Sequence, residues 1–104
     1  MSFLAARAEA AQIQYVREEE KRFRISAKRD RMLGRWAGEM LGLAGDALED
    51  YAEKIAKEAL LMPNGALIAI ANDFRQSRMP VAMLDLPLKA EEYFTVAKET
   101  LKAA

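Results

Sequence analysis

Carboxylates, guanidinium groups and glycines are the reactive or ligand-binding candidates in this chain, which has 0 His and 0 Cys. Without imidazole or thiol there is no ordinary general base near neutral pH, no thiolate nucleophile, no zinc knuckle and no disulfide framework. Converging carboxylates could hold a metal or share a proton. Glu18, Glu19 and Glu20 are consecutive, however, and point to different sides of any helix that carries them. Asp46, Glu49, Asp50 and Glu53 fall in the first two turns of a second helix, where negative charge is favoured without any ligand. Ser2, Ser26, Ser77, Thr95 and Thr100 have no histidine to activate them. Gly34, Gly38 and Gly42 follow no strand and precede no Lys-Ser pair, so they do not make a phosphate loop. The expectation is a chain that is not an enzyme and has no catalytic residue, cofactor or metal site.

The guanidinium groups are the more interesting set. Lys+Arg and Asp+Glu both total 16, yet Lys21, Arg22, Arg24, Lys28, Arg29, Arg31 and Arg35 stand together against Asp30 alone. Lys21, Arg24, Lys28, Arg31 and Arg35 lie along overlapping helical rows. Such a row suits a solvated face, one neutralised by the acidic second helix folding back, or an acidic protein partner. It could also track a phosphate backbone, but stacking aromatics are sparse, with Phe23 and Trp36 expected in the core. Nucleic acid is therefore not expected as a partner. Membrane insertion is not expected either: the longest apolar run, Ala66 to Ala71, is too short for a bilayer, and Arg7 and Glu9 stand where a signal peptide needs apolar residues. A soluble, cytoplasmic monomer is the expectation.

The framework that carries these groups is helical. The chain has 104 residues, a length for one domain, and much of its 52% hydrophobic content is alanine, which predicts a thin helical core. From Phe3 to about Leu43 only glycines interrupt helix-forming residues, and no proline precedes Pro63, so one long helix is predicted. Phe23, Ala27, Leu33, Trp36, Ala37, Met40 and Leu41 form its apolar stripe, with Trp36 largely buried against helices two and four. Gly34, Gly38 and Gly42 would let a neighbouring helix approach closely. Gly45 suits a left-handed position after the helix, and Asp46 with Glu49 resembles a capping box starting helix two, whose inward stripe is Leu48, Tyr51, Ala52, Ile55 and Ala59. Met62 to Gly65 reads as a turn. Leu67, Ile70, Ala71 and Phe74 face inward on helix three, which Arg78 to Pro80 ends. Asp85 with Pro87 looks like the start of helix four, carrying Leu86, Ala90, Phe94, Ala97 and Leu101 inward. The fold class is all-α, a four-helix bundle with a long N-terminal helix, divided into an N-terminal helical or mobile extension at residues 1–17 and a bundle domain at 18–104.

The run from Phe23 to Ala47 resembles the signature of the zeta-subunit family of alphaproteobacterial F1-ATPase inhibitors. The resemblance is carried by Ala27, Arg29, Leu33, Gly34, Trp36, Ala37, Glu39, Leu41, Gly42, Leu43, Gly45, Asp46 and Ala47, followed by Tyr51 and Ala52, without a gap. It implies a four-helix fold and an inhibitory or regulatory subunit whose N-terminal segment enters the F1 catalytic interface and blocks ATP hydrolysis. The implied partners are the F1 catalytic subunits, which would place the chain peripherally at the inner face of the membrane. Where the family's inhibitory segment has an aromatic, two acids, Arg and Glu, this chain has Leu4, Ala5, Ala6, Arg7 and Ala8, then Ala11 and Tyr15. Only Arg7 and the aromatic at Tyr15 are kept. A divergent, non-inhibitory paralogue acting as a helical interaction module is the alternative. If inhibition persists, its partner-binding residues are expected to be Leu4, Arg7, Ala11, Gln14 and Tyr15, which share one helix face. Arg7 would offer a bidentate contact and Tyr15 an apolar anchor with a polar tip.

Overall fold

Ser2 starts the first helix: its side-chain Oγ accepts a hydrogen bond from the Ala5 amide at 3.1 Å, satisfying one of the donors that a helix start leaves unpaired. The computed structural model describes residues 2–103. Helix α1 then runs unbroken over Phe3–Met40. At 38 residues it is about 57 Å long and sets the 62 Å long axis of the molecule. It is followed by α2 (Gly45–Leu61), α3 (Gly65–Gln76) and α4 (Pro80–Ala103), an all-α, four-helix architecture as the sequence predicts.

Helix α1 ends sooner than predicted, and a different glycine ends it. Gly42 takes φ +86°; its amide donates to the Glu39 carbonyl and the Leu43 amide to the Gly38 carbonyl, the paired bonds of a Schellman cap. Gly45 is also left-handed, at φ +59°, but it opens α2 and does not close α1. The predicted capping box is absent. Ala44 is the cap residue of α2 with no side-chain hydrogen bond, and Glu49 reaches back to Arg35 instead. Asp46 is left in the first turn, where its charge still favours the helix. Helix α4 begins at Pro80, five residues before Asp85, because a proline at the first position needs no amide partner. Pro87 consequently lies inside α4, where its ring removes one backbone bond.

Helices α2 and α4 lie on either side of α1, both antiparallel to it, and α3 closes the bundle between them. Gly34 faces Ala52 and Ile55, and Gly38 faces Leu48 and Tyr51, so the predicted close approach is made by α2. A Cβ at Gly34 would lie 3.0 Å from the Ala52 Cα. Leu33, Ala37, Ile55, Ile70, Phe74, Ala82, Leu86 and Ala90 form the core, thin and alanine-rich. Tyr51 ties α2 to α3 by donating from its hydroxyl to Asp73 Oδ2 at 2.7 Å, and burial beside that carboxylate pushes the phenol well above its ordinary range.

Three predicted core residues are not core. Phe23 is 60% exposed, and Met40 and Phe94 lie mostly outward. The seam of α1 toward the bundle is Ile25, Arg29, Leu33 and Ala37, one i to i+4 row, and Phe23 falls beside that row. On α4 the half-buried Tyr93 takes the inward place between Ala90 and Ala97. Trp36 is half-buried, and its ring meets α3, edge-to-face with Phe74 at 5.5 Å, rather than being enclosed by α2 and α4.

Candidate partner-binding surface

Packing begins at Ile25. Every residue from Ser2 to Arg24 is exposed, so the first half of α1 projects as an arm. All five sequence-predicted binding residues lie on it. Leu4 is 74% exposed, Tyr15 is exposed, and Ala11 leaves a flat gap between them. The Arg7 guanidinium lies 5.7 Å from the Phe3 ring centroid, and Gln14 Nε2 donates to Glu18 Oε1 at 3.1 Å. The steps of three and four residues from Leu4 to Tyr15 put all five on one face of the helix. Phe3 belongs with them. Its i,i+4 spacing to Arg7 is the signal that could have found it, since a cation over a ring holds both side chains in place.

The basic segment is resolved into paired and unpaired members. Arg35 bonds Glu49 across the α1–α2 interface, the single cation of the row that the acidic helix neutralises among the described residues. Arg22 pairs with Glu19 within the arm at 3.0 Å. Arg29 turns inward and holds Asp30 Oδ1 with its Nε and Nη2, at 3.0 and 2.9 Å. Asp30 is only 6% exposed; burial raises its pKa while the guanidinium opposes the shift. This buried ion pair was not anticipated from the sequence, where Asp30 reads only as an isolated acid among bases. Lys21, Arg24, Lys28 and Arg31 have no carboxylate within 4.0 Å among the described residues. Of these only Arg31 lines the groove of about 420 Å³ between α1 and α2, together with Phe23, Asp30, Glu53, Lys57 and Leu60; Lys21 and Arg24 lie beside Leu101 of α4.

Among the described residues no three acidic side chains gather as a metal site would require, and no helix is long and apolar enough to cross a membrane. The model of the family ATPase inhibitor subunit zeta matches residues 1–100, and the chain belongs to that family, one of regulators rather than catalysts. Comparison with curated proteins and with solved structures finds no match.

Proposed function

We propose that this chain binds the F1-ATPase and inhibits ATP hydrolysis by docking its N-terminal arm at a catalytic interface. The observation that carries this is the arm itself: a capped helix, bare on every side to Arg24, in a chain that belongs to an ATPase inhibitor family. A helix with no tertiary contacts to break can enter a cleft without disturbing its own bundle. Residues 1–17 act as the inhibitory extension and 18–104 as the bundle domain. Leu4 and Tyr15 supply apolar anchors and Arg7 a cation to the partner, while Ala11 lets the partner's surface approach the helix backbone. The chain acts as a monomer on the catalytic subunits, and so sits where that enzyme meets the membrane.

The alanines at 5, 6 and 8 favour a second reading, a non-inhibitory paralogue that kept the bundle as an interaction module. Adding full-length chain and a variant lacking residues 1–17 to purified F1-ATPase separates the two. Inhibition by the first and none by the second is expected. Full-length chain that leaves hydrolysis untouched at roughly tens of micromolar, where even weak interfaces form, establishes the paralogue.

A further inference from the structure

The corner between α2 and α3 is built on a dipeptide that the fold itself demands. Gly65 is buried against α2, and a Cβ there would overlap the Glu58 carbonyl oxygen, so only glycine fits. Asn64 before it is left-handed, at φ 59° and ψ 22°, a conformation that asparagine tolerates better than most residues with a side chain. Asn64 is exposed, and its side chain caps nothing. Asparagine followed by glycine is the pair most prone to lose its side-chain amide, because no Cβ shields the glycine nitrogen from the asparagine Cγ. The folded corner holds the two apart. At ψ 22° the Gly65 nitrogen lies nearly trans to the Asn64 Cβ, whereas a five-membered ring needs them eclipsed. The Gly65 amide is also engaged, donating to the Met62 carbonyl at 3.0 Å, while the Asn64 carbonyl accepts from the Ile68 amide at 3.0 Å. Asn72, the other asparagine, sits inside α3 before Asp73, and its Oδ1 accepts from Arg75 at 3.1 Å.

We propose that Asn64 is a site of spontaneous deamidation, gated by local opening of the α2–α3 corner, and that its isoaspartyl product cannot rebuild that corner. Once the corner opens, Asn64 turns so that the Gly65 nitrogen, giving up its proton to solvent, attacks Cγ. The new C–N bond closes a succinimide, and the side-chain nitrogen leaves as ammonia. One water then opens the ring at either carbonyl. Opening at Cγ leaves an aspartate; opening at the main-chain carbonyl leaves an isoaspartate, whose main chain runs through Cβ and is one methylene longer. The fold treats the two products differently. The aspartate keeps the backbone and places its charge at the start of α3, where the helix dipole favours it. The isoaspartate displaces Gly65, which has no room beside the Glu58 carbonyl. Helix α3 carries Ile70 and Phe74 into the core, so the longer main chain is felt throughout the bundle.

The test ages full-length chain in warm, mildly alkaline buffer and follows both asparagines by tandem mass spectrometry. Asn64 should gain the mass of an amide turned into an acid, as a mixture of aspartate and isoaspartate, while Asn72 keeps its amide. Conversion should be about tenfold slower in the folded chain than in the same chain unfolded in urea, the factor that an opening step imposes. Aged chain rich in isoaspartate should melt below the parent, whereas Asn64→Asp should melt like the parent. Asn64→Gly, which suits the same φ, should gain no mass in this stretch. Equal loss at the two asparagines, or none at Asn64, overturns the proposal. Equal rates in folded and urea-unfolded chain overturn it as well, since no opening step would then be needed. So does a melting temperature of Asn64→Asp as low as that of the isoaspartate form, which would lay the damage on the charge and not on the longer main chain.

Discussion

The two halves of α1 are one unbroken helix with opposite relations to the rest of the molecule. From Phe3 to Arg24 every side chain is exposed; from Ile25 to Gly38 buried residues recur at nearly every turn. Helix propensity does not distinguish them, since alanine, glutamate, arginine and glutamine fill the arm as strong helix formers. The distal half has Leu33 and Ala37 to bury, and glycines at 34 and 38 that admit α2. The arm buries none of its residues, so its helicity rests on its helix-forming composition, on its Ser2 cap and on propagation from the packed half. A residue of the arm is therefore free to serve a partner, whereas a residue of the packed half serves the fold.

The sharpest break in that comparison is one chemical change made twice. Leu33→Ala, at a site with 0% exposure, should cost about 3 to 4 kcal/mol in urea unfolding. Leu4→Ala, on the same helix, should stay within about 0.5 kcal/mol, and a loss above about 1 kcal/mol there would mean the arm is packed. Next in size, Gly34→Val should cost about 2 to 3 kcal/mol by forcing α2 away from α1. A melting temperature equal to the parent's would show that the close approach carries no weight. Tyr51→Phe, which removes only the hydroxyl that reaches Asp73, should cost about 1 kcal/mol and leave the helicity of the arm unchanged.

Smaller effects sharpen the picture at the helix ends and in the seam. Arg78 sits at φ +54° and closes α3 with the same paired bonds that Gly42 gives α1. Arg78→Gly should therefore stabilise by about 0.5 to 1 kcal/mol, since a side chain at that φ is strained. A lower melting temperature would mean that Arg78 contributes packing that outweighs the strain. The smallest expected effect is a pH dependence. Burial raises the Asp30 pKa above its unfolded value of 3.8, so the folded chain takes up this proton at higher pH than the unfolded one. The cost of the charged form is complete above the folded pKa and is relieved as pH falls toward 3.8. Parent chain should accordingly gain stability relative to Asp30→Asn as pH is lowered from 7 into that window; a constant difference would show that Arg29 fully offsets the burial.

Where local chemistry decides an outcome, the residues announce it. The inward stripe of α2, with Ala52 and Ile55 buried, is legible because amphipathic spacing and the core's location agree there. The exposed arm is legible too, since Glu20 interrupts the apolar face that Ile13 and Val16 begin and the earlier turns are mostly alanine, glutamine and charge. Phe23 misleads for a reason of geometry: it is large, apolar and in helical phase with Ala27, but the row that meets α4 lies beside it. The same holds for Phe94 against Tyr93, neighbours in sequence of which only one can face inward. The shared helix face from Leu4 to Tyr15 could be drawn from spacing alone, whereas the groove beside Arg31 could not, because half of it belongs to α2.

An all-helical chain, a long first helix, the glycine spacing that admits a neighbour and the lack of histidine and cysteine that removes most catalytic chemistry are all written in the order of the residues. These depend on residues within a turn or two of one another. Which of several adjacent rows on α1 becomes the seam, which glycine closes the helix and which cations find a carboxylate are settled in the folded chain. Each of those turns on where α2 and α4 come to lie, and a side chain 14 residues away, as Glu49 is from Arg35, claims its partner only after the chain has folded back.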